Sequence, residues 1–171
     1  SMASPYHFNH IIAYAPALGD SGLWMDATEK GTPFGSIPWY NQGLPVLIVK
    51  DDGSGEVAFT PEVPASHNHM ILEWKAQLGR KGQAFVNGKT VYGGAYAGEL
   101  REGLMFTGST DRRQWLDQQV ARYASGAELD SFSFSGLLPG DDLLMVEYSF
   151  TTKSLASRHG DEMIIRPAGF F

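Results

Sequence analysis

The most informative absence in this chain of 171 residues is cysteine, which does not occur at all. Without cysteine, the chain forms no disulfide bond and builds no thiolate zinc site. It also holds no thiol nucleophile of its own, so cysteine catalysis within the chain is excluded. The cellular compartment stays open, because many proteins of oxidising compartments also lack disulfides.

Positive charge is scarce as well. The chain has 13 Lys and Arg residues against 19 Asp and Glu residues, which gives a formal net charge of −6 and a pI of about 5.3. Nucleic-acid binding usually needs a basic face, so we expect no nucleic-acid partner.

Long hydrophobic runs and a signal peptide are also missing. No apolar run approaches the ~20 residues of a membrane-spanning helix, so we expect no membrane span in this chain. No N-terminal segment has the order of charged, apolar and small residues that a signal peptide needs. The opening Ser1-Met2-Ala3 is typical of residues added for expression, which leaves room for a natural targeting segment upstream.

The chain is instead rich in apolar residues, at 43% hydrophobic and 12% aromatic, which is enough for a folded core. Strand patterns dominate and do not alternate regularly with helices, which disfavours a doubly wound sheet. We predict an α+β fold that is mostly antiparallel β, as a sheet or a sandwich, with one long helix. The proline-rich stretch 60–66 is the candidate boundary between domains 4–62 and 63–171.

The second domain should contain most of the sheet. Alternating or β-prone patterns predict strands at 68–78, 83–94, 128–135, 143–151 and 163–166. The dipeptide Asn87-Gly88 predicts a hairpin turn inside the second of these. In 128–135, Phe132 and Phe134 should face the core, opposite Leu129.

The long helix is predicted over residues 109–125. Ser109 is a suitable N-cap, and Asp111 lies in the first turn, where the helix dipole favours negative charge. Apolar residues at helical spacing form a stripe that predicts a core-facing side, namely Trp115, Leu116, Val120, Tyr123 and Ala124 with Gln119.

The stretch from Tyr6 to Thr28 predicts two strands joined by a tight loop. A loop that folds symmetrically about Gly19 would place Ile12 opposite Asp26. His10 is then the diagonal neighbour of Asp26 on the same face, at about 7–8 Å between backbones. A register slip of one residue would place the two side chains on opposite faces.

A histidine and a carboxylate on paired strands are two of the three members of a nucleophilic triad. The alternative interpretation is a structural hydrogen bond between His10 and Asp26, with no chemical role.

Two motifs in this stretch resemble the end of a bacterial transglutaminase-like domain. They are FNHIIAYA, which contains His10, and GLWMDATEKGTPFGSIPWYNQGLPVLIV, which contains Asp26. In that superfamily a Cys, a His and an Asp form a papain-like triad. The His lies in an N-H-[VI]-[IV] strand and the Asp in a W-[LM]-D-[AP]-T strand. The match covers about the first fifty residues, and from Asn68 onward the chain resembles the domain of unknown function that follows this core in Gram-negative envelope proteins.

The resemblance implies a partial transglutaminase-like β-sheet in which His10 and Asp26 are the catalytic residues. It implies that the nucleophilic Cys lies upstream, outside this chain, in a periplasmic or cell-envelope protein. The parent protein would catalyse acyl transfer or amide hydrolysis on a peptide or protein substrate, without a cofactor. The alternative is a non-catalytic, β-rich interaction module of an envelope protein. In either case an incomplete sheet predicts self-association or packing on the missing N-terminal part.

The loop after Asp26, residues 30–42, is irregular and rich in aromatic residues. Its Trp39 and Tyr40, together with Trp24, are the candidate substrate-binding residues. The alternative is that the loop caps the core. The apolar run 44–49, LPVLIV, predicts a buried strand, and residues 56–60 a short returning strand.

Other chemistries find weak support. His67 and His69 form a His-x-His pair, and His7 and His10 add two more rings, but nothing in the sequence brings them together for zinc. We therefore predict no metal site. The acidic pairs Asp51-Asp52 and Asp141-Asp142 lie in predicted turns, and the glycines at 93, 94 and 98 do not form a phosphate-binding loop.

Overall fold

The structure is a computed structural model of the chain, and it describes residues 8–18 and 22–165. Within those residues the elements run, in chain order, β1 (Ala13–Ala15), β2 (Leu23–Met25), β3 (Pro45–Val49), β4 (Gly55–Phe59), β5 (His69–Leu78), β6 (Ala84–Gly93), α1 (Ala95–Leu104), α2 (Ser109–Tyr123), β7 (Glu128–Ser135), β8 (Leu143–Thr152), β9 (Ala156–His159) and β10 (Glu162–Ile165). Single turns of 3-10 helix occur at Trp39–Asn41 and Ala65–His67.

The strands form one large sheet and three ribbons, all antiparallel. The large sheet has the order β5-β6-β8-β7, and the ribbons are β1-β2, β3-β4 and β9-β10. The predicted β-rich α+β class is therefore confirmed, with α1 as a second, shorter helix. No described helix is both long and apolar enough to cross a membrane.

The core is formed by residues of the large sheet that pack against α2. Phe150 and Leu144 of β8 and Val86 of β6 have no exposed surface. They share one cluster with Leu116 and Val120 of α2, so the predicted apolar stripe of this helix is confirmed as a core face.

The helix begins at Ser109 as predicted, but its predicted N-cap is wrong by one position. The N-cap is Gly108, and Ser109 is already the first helical residue. Asp111 does lie in the first turn. The helix is positioned by its buried face rather than by a cap.

Two further predictions about the sheet are wrong for tertiary reasons. The strand β6 passes straight through Asn87-Gly88 instead of turning there. A Cβ atom at Gly88 would lie 2.3 Å from the ring of Tyr148 on β8, so this glycine makes room for an aromatic ring. In β7 the register shifts between Leu129 and Ser131, and this bulge turns Leu129 into the core on the side of the phenylalanines.

The prediction of a buried strand at 44–49 is also wrong. Residues Pro45–Val49 do form β3, and the predicted return is β4, but the ribbon is open to solvent. Val49 is 74% exposed and Phe59 is 69% exposed. The composition of the ribbon is typical of buried strands. Among the described residues, however, no element packs over it and buries it.

The last strand is β10, Glu162–Ile165. The sequence predicted it at 163–166, one residue later, and Arg166 lies outside the described residues. It pairs with β9, which the sequence did not predict. Residues 61–64, within the predicted domain boundary, have no regular structure.

Candidate functional site

The hairpin β1-β2 brings His10 and Asp26 together in the predicted register. Its pairs are Ala13 with Met25, Tyr14 with Trp24, and Ala15 with Leu23. Continued by one residue, the same register puts Ile12 opposite Asp26 and His10 one diagonal step away. This register is confirmed, and it is the alignment that the spacing about Gly19 predicted.

The two side chains are in hydrogen-bond contact, with Nε2 of His10 2.7 Å from Oδ2 of Asp26. The side chain of Asp26 has no exposed surface, whereas that of His10 is 34% exposed. The carboxylate is therefore enclosed, and the imidazole lies between it and solvent.

Three further hydrogen bonds fix the carboxylate. Oδ1 accepts from the backbone N–H of Thr28 at 3.0 Å and from its hydroxyl at 2.7 Å. Oδ2 accepts from the side-chain amide of Asn41 at 2.9 Å, in addition to His10. Burial favours the neutral acid, but the hydrogen bonds from Thr28 and His10 outweigh it and hold the pKa of Asp26 below its ordinary value of 3.8.

An ionised Asp26 decides which nitrogen of His10 carries the proton. A carboxylate accepts hydrogen bonds and cannot donate them, so Nε2 must carry the hydrogen of the 2.7 Å contact. In the neutral ring, Nδ1 is then the unprotonated nitrogen. No group among the described residues hydrogen bonds to Nδ1, so its lone pair is free to take a proton.

His10 lines a cavity of about 360 Å³ between β1-β2 and β3. Tyr14 and Trp24 lie in its wall with ring centroids 4.4 Å apart, and β3 contributes Val46 and Ile48. The candidate substrate residue Trp24 thus lines the same cavity as the imidazole.

Trp39 and Tyr40 line a different cavity, of about 400 Å³, in which His10 takes no part. The indole N–H of Trp39 donates to Glu99 at 3.0 Å, and the hydroxyl of Tyr40 donates to Glu29. The bond to Glu29 raises the pKa of Tyr40 to about 12. Asn41, the next residue in the chain, joins this loop to Asp26.

The C-terminal part of the molecule holds the loop after Asp26 in place through Arg101 of α1. This side chain is fully buried and donates to three backbone carbonyls, those of Gly31, Gly136 and Asp141, at 2.7–2.9 Å. Gly31 lies so close to α1 that a Cβ atom would meet the carbonyl oxygen of Gly98 at 2.2 Å.

Three of the remaining candidates make local hydrogen bonds. Nδ1 of His69 bonds the carbonyl of Ser66 at 3.3 Å. Asp52 and Asp141 accept hydrogen bonds within their own turns. Among the described residues no group of three or more metal-ligating side chains converges, and His7 lies outside them.

Several residues of the site were not singled out from the sequence. Thr28 had a signal, because Asp-x-Thr is a common side-chain-to-backbone turn pattern. Asn41, Glu99 and Arg101 had none, because their partners lie at least 15 residues away in the chain.

Comparisons with protein-family models, with curated proteins and with solved structures gave no match. The functional argument therefore depends on the geometry of His10 and Asp26 and on the two sequence motifs that contain them.

Proposed function

We propose that this chain supplies the base and the orienting carboxylate of a cysteine-dependent centre for acyl transfer or amide hydrolysis. The observation that carries the proposal is the 2.7 Å contact between Nε2 of His10 and a buried Asp26 that accepts four hydrogen bonds. A carboxylate held in this way fixes the orientation and the tautomer of the imidazole, which is the task of the third member of a triad.

The nucleophile in this proposal is a cysteine from outside the chain, positioned at Nδ1 of His10. The thiol proton passes to Nδ1, and the sulfur forms a bond to the acyl carbon of the substrate. The carbon–nitrogen bond then breaks as the protonated Nδ1 gives its proton to the leaving amine. Water or a second amine then gives a proton to Nδ1 and attacks the thioester carbon, and the carbon–sulfur bond breaks to release the thiolate.

The chain alone has no cysteine and is not catalytic by this mechanism. The resemblance of the two motifs supports a peptide or protein substrate and a place in the bacterial cell envelope. The cavity beside His10 supports an acyl group placed against Trp24, because Trp24 and His10 line it together.

The first test is the tautomer of His10, measured by long-range 1H–15N NMR correlation at a pH where the ring is neutral. We expect the proton on Nε2, with Nδ1 bare. Asp26→Asn should move the proton to Nδ1, because the amide can donate to Nε2. A neutral wild-type ring protonated at Nδ1 would remove the base and overturn the proposal.

The second test uses the full-length protein, in which a cysteine should be alkylated by iodoacetamide. A thiol paired with His10 keeps its reactivity at acid pH, because the thiolate is stabilised by the imidazolium. His10→Ala should abolish this reactivity at acid pH. His159→Ala on β9 is the matched control and should keep it. Equal pH profiles for all three proteins would sink the assignment.

The second candidate function is a non-catalytic interaction module. The exposed apolar ribbon β3-β4 favours it, since Val49, Val57 and Phe59 are each at least 69% exposed. The alkylation experiment separates the two functions, because an interaction module needs no cysteine coupled to His10.

A further inference from the structure

A second concave site lies outside the surroundings of His10, and we call it the aromatic-acidic cleft. It is the cavity of about 400 Å³ between the loop 29–40 and the start of α1. Its functional groups are the rings of Trp39 and Tyr40 and the carboxylates of Glu29 and Glu99. A cavity of this size in which aromatic walls meet convergent polar groups is the usual form of a small-ligand site.

The rings of the cleft are available to a ligand. Trp39 is 55% exposed and Tyr40 is 45% exposed, and their centroids are 5.7 Å apart in an edge-to-face arrangement. Each ring is held at its polar end by one carboxylate, Trp39 by Glu99 and Tyr40 by Glu29. The two carboxylates are thereby fixed at the edges of the two rings.

The cleft carries an excess of acidic side chains. Asp142 also lines it, as do His67 and His69, whereas no lysine or arginine does. Arg101 lies near Asp142, but it donates its hydrogen bonds to the backbone carbonyls of Gly31, Gly136 and Asp141. The ammonium of Lys30 lies 5.5 Å over the ring of Phe106.

The titration behaviour of the neighbours agrees with this charge. Glu29 raises the pKa of Tyr40 to about 12, first through its hydrogen bond and then through its charge. It also raises the pKa of Glu102, first through a hydrogen bond and against an opposing effect of Lys30. Both shifts are what a neighbouring carboxylate produces.

Aromatic faces beside fixed carboxylates recognise one kind of group above others. A positively charged nitrogen is attracted to the ring faces and is neutralised by the carboxylates. Neutral sugars also stack on aromatic rings, but they do not need an excess of negative charge.

We propose that the aromatic-acidic cleft binds an organic cation, either a protonated amine or a quaternary ammonium group. The cation lies against Trp39 and Tyr40, and Glu29 and Glu99 balance its charge. This site is independent of the acyl-transfer proposal, because it shares neither His10 nor the cavity beside His10.

The experiment is an NMR titration of the chain with choline and with its uncharged carbon analogue, 3,3-dimethylbutan-1-ol. Neither compound is an acyl donor, so the readout does not depend on catalysis. The chain has four tryptophans, and the indole N–H signal of Trp39 reports directly on the bond to Glu99. The indole signal of Trp74, in the large sheet, serves as the reference for a folded chain.

We expect choline to shift the Trp39 signal with an affinity about tenfold or more above that of the neutral analogue. Glu29→Gln and Glu99→Gln keep the hydrogen-bond acceptors of Tyr40 and Trp39 but remove the charges, and each should weaken choline binding severalfold. Glu128→Gln on β7 removes a distant surface charge and should leave choline binding unchanged.

Equal affinities for choline and its neutral analogue would overturn the proposal. So would charge-neutral variants that bind choline as well as the wild type does. A Trp39 signal that moves with chitooligosaccharides and not with choline would identify a carbohydrate site instead. None of these outcomes changes the tautomer or the thiol measurements at His10.

Discussion

Residues 8–64, the N-terminal region, and residues 65–165, the C-terminal region, bury different kinds of groups. Of the buried aliphatic and aromatic residues that the structure describes, only Ile37 and Pro38 belong to the N-terminal region. The other buried groups there include Asp26 and Thr60, both of which are polar and hydrogen bonded. The C-terminal region instead closes an apolar core around Phe150, Leu144 and Val146.

This difference separates the part of the chain that is stabilised by burial from the part that carries the candidate chemistry. Apolar burial contributes roughly 25 cal/mol per Å², and nearly all of the fully buried apolar side chains lie in the C-terminal region. The N-terminal region depends on directional bonds, such as those of Asn41 to Asp26 and of Arg101 to Gly31. Substitutions in the C-terminal region should therefore remove stabilisation by apolar burial, and substitutions in the N-terminal region should remove stabilisation by hydrogen bonds.

The largest effect is expected from Phe150→Ala. Phe150 has no exposed surface and packs against Trp74 and Tyr148, so its loss should lower the free energy of unfolding by about 3–5 kcal/mol. The counterpart in the N-terminal region, Phe59→Ala, should cost about 0.5 kcal/mol or less, because Phe59 is already exposed. Urea unfolding measures both, and similar losses would contradict the comparison.

Arg101→Met should affect both regions, because the Arg101 side chain bonds to carbonyls in each of them. It leaves one buried and two part-buried carbonyls without their donor, and we expect a loss of about 2–4 kcal/mol in unfolding free energy. Protease cleavage within residues 26–41 should rise as well, because Gly31 loses its anchor. Arg122→Met, at an exposed position of α2, is the control and should alter neither quantity.

Gly88→Ala tests how tightly the C-terminal core is packed. The added methyl group would meet the Tyr148 ring at 2.3 Å, and the forced shift should cost about 1–3 kcal/mol. Gly103→Ala, near the end of α1 with nothing within 4 Å of the new carbon, should instead be neutral or stabilise by up to about 1 kcal/mol. Thermal unfolding of both variants checks the opposite signs.

Asp26→Asn should have the smallest effect and a characteristic pH dependence. The folded-state pKa of Asp26 lies below 3.8, so its ionised form stabilises the fold above the unfolded-state pKa. The advantage of the wild type over Asp26→Asn should be fully present above about pH 4 and should shrink as the pH falls through the folded-state pKa.

Urea unfolding followed at the indole signals of Trp24 and Trp74 would show whether this advantage belongs to the N-terminal region. The control, Asp161→Asn, changes an exposed carboxylate. A difference between wild type and Asp26→Asn that grows toward acid pH would contradict the assigned direction of the pKa shift.

The sequence predicted local features well and distant ones poorly. The register of β1-β2 followed from a loop centred on Gly19. Side chains alternate between the faces of a strand, so a slip of one residue would have placed His10 and Asp26 on opposite faces. The helix α2 followed from its apolar stripe. The turn at Asn87-Gly88 was wrong because the need for glycine arises at Tyr148, 60 residues further along the chain.

The candidate site shows the same limit. His10, Asp26 and Thr28 lie within one hairpin and its immediate continuation, so their spacing carries information about their contact. Asn41 reaches Asp26 from an irregular loop, and no periodicity predicts its direction. The exposure of β3 could not be predicted either, because its composition is that of a covered strand.

The bonds of Arg101 also set an order of events during synthesis and folding. The arginine joins a carbonyl 70 residues before it to others 35 and 40 residues after it. The segment that follows Asp26 therefore cannot be locked until the chain has been made as far as Asp141. Contacts of such long sequence separation form late in folding. The base at His10 should thus acquire its final surroundings only after the C-terminal sheet has assembled, so a nascent or truncated chain would carry both residues of the pair without their fixed alignment.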